Sequence, residues 1–231
     1  MLEKRNFYIN GKWVPPSKPN DFEVINPSNE EPFAIISLGG ATDTNSAVEA
    51  AKKAFVKWKE TSKEERINLL EKLLKIYKKR FNELAEAQSM EMGAPIDYAI
   101  SAQTASGQSH LEDFILRLKN FKFEEHFDSK SNNHISYEPI GVCGLITPWN
   151  WPINQIALKV FPAFATGCTM ILKPPEIAPI SPMLLAEMID EAGFPKGVFN
   201  LVNGDGSGVG TQISGHPDIA MISFTGSTRA G

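Results

Sequence analysis

The feature that most constrains this chain is the rhythm of the residues beyond Pro139. Short continuous apolar runs at 141–146, 170–173, 198–202 and 220–224 alternate there with helical patterns at 154–166, 181–192 and 207–214. Strands covered on both faces read as unbroken apolar runs, whereas half-exposed strands alternate. Strand and helix alternating over short connections predict an α/β fold built on a doubly wound parallel sheet with right-handed crossovers. Such sheets bind ligands beyond the carboxyl ends of their strands, so the residues just after each run are where function is to be sought.

The part before that sheet reads as a β-hairpin followed by helices. Phe7-Tyr8-Ile9 and Trp13-Val14 flank Asn10-Gly11, a pair suited to the positive φ of a tight hairpin turn. Glu23-Val24-Ile25-Asn26 forms a further short strand stopped by Pro27. Ala47, Val48, Ala51, Phe55 and Trp58 make one stripe, which predicts a surface helix from Asp43 to about Trp58. Thr61 and Ser62 each precede a Glu by three residues, a capping-box signal that opens the next helix. Its seam of Ile67, Leu70, Leu74, Tyr77, Phe81 and Leu84 runs on to an end near Gly93, and packing on a globular core explains it better than a coiled coil. A third helix is expected from Pro95 to about Asn120. After it, residues 128–133 form a polar break and His134 to Glu138 an exposed strand.

Several classes of function are excluded by composition. With 42% hydrophobic and 22% charged residues the chain is expected to fold as a soluble globular protein. A net charge of −4 with interspersed Lys and Glu leaves no basic face for nucleic acid, so small molecules or proteins are the expected partners. No apolar stretch is long enough to cross a membrane. The two cysteines, Cys143 and Cys168, lie in apolar runs and build neither a disulfide framework nor a Cys-rich metal site, so a reducing, cytoplasmic location is expected. His110, His126, His134 and His216 are scattered without ligand spacing, and no metal is expected.

Four strand ends carry polar and small residues. The first, Ile146-Thr147-Pro148-Trp149-Asn150-Trp151-Pro152, is a stiff turn. It either aims the Asn150 amide at an oxyanion or is a rigid surface turn with a capping asparagine. The second, Lys173-Pro174-Pro175-Glu176, offers a cation for ribose or phosphate oxygens and a carboxylate for both hydroxyls of an adenine ribose. Glu176 would repel a 2′-phosphate and so select NAD over NADP; an exposed salt-bridging loop is the competing reading. The third, 203–210, contains Gly204, Gly206, Gly208 and Gly210 before a helix, where amides and the helix dipole suit a phosphate, with a flexible turn as the alternative. The usual dinucleotide fingerprint is missing from the first strand. The fourth, Phe224-Thr225-Gly226-Ser227-Thr228, is a second amide cradle at a helix start. On successive parallel strands all four would share one edge and converge on one crevice.

Taken in order, Pro148-Trp149-Asn150-Trp151-Pro152, Lys173-Pro174-Pro175-Glu176, Gly193-Phe194-Pro195-Lys196-Gly197-Val198-Phe199-Asn200 and Phe224-Thr225-Gly226-Ser227 resemble the aldehyde dehydrogenase superfamily. The likeness runs from the Ile9-Asn10-Gly11 hairpin and Val24-Ile25-Asn26-Pro27 to the last residue and represents about the first half of a typical member. It implies an incomplete aldehyde dehydrogenase fold with a Rossmann-like cofactor domain, divided as residues 1–127 (hairpin and helices), 128–139 (an oligomerisation-type β arm) and 140–231 (the βα core).

The resemblance also implies roles. Asn150 corresponds to the oxyanion asparagine, Lys173 and Glu176 to the adenine-ribose ligands, and Phe224, Thr225, Gly226 and Ser227 to the loop near the pyrophosphate. Ile146, Thr147, Pro148, Trp149 and Pro174 join the cofactor-binding set, and Gly206 and Gly210 lie beside its adenosine part. Lys159 matches a lysine frequent near the site, although a helix-surface lysine is the simpler expectation. In the family a cysteine thiolate attacks the aldehyde, hydride passes from the thiohemiacetal to NAD, and a glutamate activates the hydrolytic water. The resemblance places that cysteine and glutamate downstream of these 231 residues, so the chain alone is expected to be inactive. Cys143 and Cys168 are read as small buried hydrophobes. The complete enzyme is expected to act on an aldehyde as a homo-oligomer. The competing class is a non-catalytic NAD-binding or subunit-association module.

Overall fold

The computed structural model describes residues 1–127 and 132–231. Asp128, Ser129, Lys130 and Ser131 of the expected polar break, and with them the start of the 128–139 arm, lie outside the described residues.

The chain opens with β1 (Leu2–Lys4), β2 (Phe7–Ile9), β3 (Lys12–Val14), β4 (Asp21–Asn26) and β5 (Glu31–Ser37). Asn10 and Gly11 turn the β2–β3 hairpin with φ of 54° and 71°, the pair of positive values that the Asn-Gly sequence tolerates. β1, β5 and β4 form a small sheet that the sequence pattern revealed only at β4.

The helices follow: α1 (Ala41–Trp58), α2 (Lys63–Lys79), α3 (Phe81–Met92), the short α4 (Ile96–Tyr98) and α5 (Ala105–Asn120). Ser62 starts α2, its side chain accepting from the Glu65 amide while Glu65 returns the contact to the Ser62 amide. The expected continuous helix through Phe81 is broken at Arg80, where the guanidinium turns aside to Glu83 and Glu187. α3 ends on Gly93 in the left-handed region. A π-helical stretch, Ala99–Thr104, joins α4 to α5, so the third expected helix is three pieces. Gly107 lets α5 lie against its neighbours: a Cβ there would come within 2.4 Å of Ile153 and 2.5 Å of the Tyr77 hydroxyl.

A two-stranded ribbon, β6 (Glu124–His126) with β7 (His134–Ser136), leads into the alternating region. There β8 (Val142–Ile146), α6 (Pro152–Thr166), β9 (Thr169–Lys173), α7 (Ile180–Ala192) and β10 (Phe199–Leu201) come in turn. A π-helical turn (Gly206–Gly210), α8 (Thr211–Ser214) and β11 (Met221–Phe224) complete it. The sheet has the order β11-β8-β9-β10-β2-β3; its first four strands are parallel, and the amino-terminal hairpin extends it antiparallel.

Alternate strand residues feed two cores. Leu145, Met170, Leu172, Phe199 and Leu201 pack with α6 and α7, whereas Val142, Ile146, Ile171 and Val202 pack with Ala47, Val48 and Ala51 of α1 and Ile213 of α8. α1 is therefore a covering helix with one buried face, more than the surface helix its stripe suggested. β8, β9 and β10 are buried throughout, as their unbroken apolar runs predict. β11 differs: it is an edge strand, and Met221, Ile222 and Phe224 are exposed. Among the described residues no helix is long and apolar enough to cross a membrane.

Candidate functional site

Because β11, β8, β9 and β10 are adjacent and parallel, their carboxyl ends lie along one edge of the sheet. The ladder continues past the strands, with the Thr147 amide donating to the Lys173 carbonyl and the Thr225 amide to the Ile146 carbonyl. The loops beyond them enclose a cleft of about 580 Å³. Ile146, Thr147, Pro148, Trp149 and Asn150 line it from the first loop, Lys173 and Glu176 from the second, Gly206 from the third, and Phe224, Thr225, Gly226 and Ser227 from the fourth.

Two residues singled out in the sequence do not line it. Pro174 instead offers its carbonyl to Lys173 Nζ at 2.9 Å, and Gly210 sits behind the Lys173 stem. Gln155, Pro175, Ile177 and Ala230 line the cleft without having been expected. Gln155 was within reach of sequence reasoning, since it lies one helical turn beyond Trp151, whose carbonyl accepts its amide.

The first loop is fixed at both ends. Pro152 opens α6, where a missing N–H costs nothing, and Trp151 packs edge-on against Tyr98. Asn150 is left exposed at the rim. Thr147 is buried, and its Oγ1 finds no hydrogen-bond partner among the described residues.

Lys173 is buried and its ammonium is held by the carbonyls of Gly204 at 2.6 Å and Pro174 at 2.9 Å, with Glu176 Oε2 at 3.4 Å. Burial pushes its pKa down, while Glu176 and Asp205 oppose that shift. All three donors are engaged, so a ligand oxygen that binds Lys173 must displace one, and the long contact to Glu176 is the weakest.

The third loop corrects an expectation. Its helix start does not present a free amide cradle, because the Asp205 side chain accepts from the Gly208 amide and occupies the anion-favouring end itself. What faces the cleft is Gly206, whose missing Cβ would meet open space. The fourth loop ends in a single turn in which the amides of Ala230 and Gly231 donate to the Ser227 carbonyl.

Lys159 is also corrected. It is buried, not a surface lysine, and its Nζ donates to Thr225 Oγ1 at 2.7 Å; burial pushes its pKa down.

Residues 13–231 match the model of the aldehyde dehydrogenase family. The chain belongs to that family. It is similar to a 3-succinoylsemialdehyde-pyridine dehydrogenase of a Pseudomonas species, with 50% identity across 100% of this chain and 48% of the relative. It superposes with a TM-score of 0.98 on the crystal structure of an aldehyde dehydrogenase from Bartonella henselae, at 58% identity, covering 100% of this chain and 48% of that one. Aldehyde Dehydrogenase C from Pseudomonas syringae, crystallised as a mutant with NAD+ and octanal, gives a TM-score of 0.95 at 45% identity over 98% of this chain and 46% of that one. The chain spans about half the length of the curated relatives it matches. The family's α/β fold, with its parallel sheet, is thus the one described above.

Proposed function

We propose that these residues form the NAD-binding half of the active site of an NAD-dependent aldehyde dehydrogenase. The observation that carries the reading is the convergence of the four strand-end loops on one cleft. The neighbour crystallised with NAD+ and octanal supports it. The unpartnered Thr147 hydroxyl and the open space above Gly206 fit a polar ligand lying across the sheet edge.

In this reading Glu176 accepts from the adenine-ribose hydroxyls, and its charge disfavours a 2′-phosphate, so NAD is taken over NADP. Lys173 holds Glu176 and exchanges that contact for a ribose oxygen. Ile146, Thr147, Pro148 and Trp149 contact the cofactor, Gly206 lies beside its adenosine part, Pro174 and Gly210 act only through Lys173, which they support from outside the cleft lining, and Phe224, Thr225, Gly226 and Ser227 approach the pyrophosphate. Asn150 at the rim donates its amide to the oxygen that becomes negative when an aldehyde is attacked. Bound NAD would supply the hydride acceptor. No cysteine lines the cleft, and Cys143 and Cys168 are buried elsewhere, so the thiolate nucleophile is supplied from outside these residues. The 231-residue chain is therefore proposed to bind NAD without oxidising aldehydes. The whole protein is proposed to be a cytoplasmic homo-oligomer that uses the 128–139 arm, whose β7 pairs with β6 just before it, with residues 1–127 and 140–231 as the two parts of its cofactor domain.

Calorimetric titration with NAD tests the reading. Saturable heat that Glu176→Ala weakens is expected, with no turnover of an aldehyde panel. A folded chain giving no heat and no thermal shift at millimolar NAD overturns it, as does steady aldehyde oxidation by the chain alone. The exposed apolar residues of β11 favour a second reading as a subunit-association module. In the whole protein Asn150→Ala separates the two: the enzymatic reading requires kcat to fall by about 10²–10³ with NAD binding kept.

A further inference from the structure

Building on the cofactor reading above, on which this role rests, we propose that Glu91 of α3 is a positioning residue for the cleft. It holds the start of α7 and thereby fixes the loop that carries Glu176, although it lies outside the cleft lining and far back along the chain.

The sequence around Ile180 shows why α7 needs such a partner. A helix opens with amides that have no carbonyl to bond, and a polar side chain just before it commonly satisfies one of them. α7 instead follows Pro179, which makes no side-chain cap, and carries Pro182 in its first turn. Neither proline has an N–H to satisfy. The Met183 amide already donates to the Pro179 carbonyl, so the amides left over are those of Ile180 and Ser181. Glu91 takes both: the Ile180 amide donates to Oε2 at 2.5 Å and the Ser181 amide to Oε1 at 3.2 Å. The Ser181 hydroxyl donates to Oε1 as well. Glu91, Ile180 and Ser181 are all buried, so the carboxyl and not water satisfies these donors, at the end of the helix where the dipole favours an acidic group.

The loop so anchored is short. Lys173 closes β9, Glu176 and Ile177 line the cleft, and Ile180 opens α7. At the entry Lys173 Nζ donates to the Pro174 carbonyl and to Glu176, and within the loop the Ala178 amide donates to the Pro175 carbonyl. At the exit the grip is that of Glu91. A carboxylate that must meet two ribose hydroxyls tolerates misplacement of only about 0.5 Å. Slack at Ile180 therefore reaches Glu176 through Ile177, Ala178 and Pro179.

The test is titration of NAD and NADP into the wild-type chain, Glu91→Gln, Glu176→Gln and the double variant. Glu91→Gln keeps the side-chain volume but turns one acceptor into an NH2 that faces an amide. It is expected to weaken NAD binding by up to about tenfold, the limit set by the Glu176 contact itself. NADP binding is expected to stay within about twofold, and Glu91→Gln to add less than about twofold in the Glu176→Gln background, because both substitutions act on one contact. Ser181→Ala, which keeps both amides and removes only the hydroxyl from Glu91, is the milder second variant and is expected to show a smaller loss with the same preference. Without cofactor, amide hydrogen exchange over residues 176–181 is expected to quicken by about tenfold in Glu91→Gln while β9 keeps its protection. A wild-type chain that binds no NAD removes the cofactor reading and this role with it. Where the wild type binds NAD, equal losses for NAD and NADP, additive losses in the double variant, undiminished NAD binding in both Glu91→Gln and Ser181→Ala, or unchanged exchange over residues 176–181 overturn the role of Glu91 alone.

Discussion

Lys159 of α6 donates its Nζ to Thr225 Oγ1 at 2.7 Å, so a buried lysine joins the helix after β8 to the loop after β11. The contact gives the two substitutions opposite weights. Thr225→Val strands a buried charge and is expected to cost about 1–3 kcal/mol. Lys159→Met removes the charge with the bond, keeps the packing of the stem, and is expected to cost less. Urea denaturation of both single variants and the double variant checks this; a Lys159→Met loss larger than that of Thr225→Val contradicts it.

Discrimination between nicotinamide cofactors should rest on Glu176, which lies half-buried beside Lys173. Removing its charge with Glu176→Gln is expected to weaken NAD binding by about tenfold, the worth of a charge-assisted hydrogen bond. NADP binding should change less or improve, because the repulsion toward a 2′-phosphate is gone. Parallel titrations with the two cofactors measure the ratio, and equal losses for both contradict the assignment.

Glu91 should give stability an unusual pH dependence. This wholly buried carboxyl accepts from the Ile180 and Ser181 amides and the Ser181 hydroxyl at the start of α7. Burial pushes its pKa up to about 7 from 4.5, and these hydrogen bonds only partly oppose that. A carboxyl with a raised folded-state pKa binds more protons folded than unfolded. Its contribution is therefore complete below about pH 4.5 and is lost as the pH rises through about 7. The difference in unfolding free energy between wild type and Glu91→Gln is expected to fall over that window by up to about 3 kcal/mol. A difference that is flat or rises with pH contradicts the sign.

Local chemistry explains which parts were legible in the sequence. Asn10-Gly11 dictates its turn through positive φ, Ser62 and Glu65 dictate a helix start, and fully buried strands announce themselves as apolar runs; each signal lies within a few residues. The cleft was legible because parallel strands put their carboxyl ends on one edge of the sheet whatever their order, although the order itself, with β11 beside β8, was not. What escaped depends on distant partners. β5 carries Pro32 near its start and is completed by β1 on one side and β4 on the other. The break at Arg80 interrupts an apolar seam that continues on either side, and Glu187 lies far along the chain. Lys159 looks like any helix lysine until Thr225, sixty-six positions away, is placed beside it. Asp205 likewise looks like part of a glycine loop until its carboxylate is seen on the Gly208 amide.

Gly107 sits where α5 approaches α6 and α2 with no room for a side chain. A Cβ would lie 2.4 Å from Ile153 Cγ2 and 2.5 Å from the Tyr77 hydroxyl. Neither neighbour can simply swing away: Ile153 is fully buried behind the stiff Trp151-Pro152 turn, and the Tyr77 hydroxyl donates to the Thr104 carbonyl at 2.7 Å. Gly107→Ala gains about 1 kcal/mol of intrinsic helix propensity, which the overpacking penalty of about 1–3 kcal/mol should match or exceed. The net effect expected is a loss of stability, and Tyr77→Phe, which shortens that ring by its oxygen, should recover part of it in the alanine background. Chemical denaturation of the four combinations measures the coupling. Because Ile153 follows the turn that carries Asn150, the same strain should reach the cleft, and NAD affinity should decline in Gly107→Ala and recover with the second substitution.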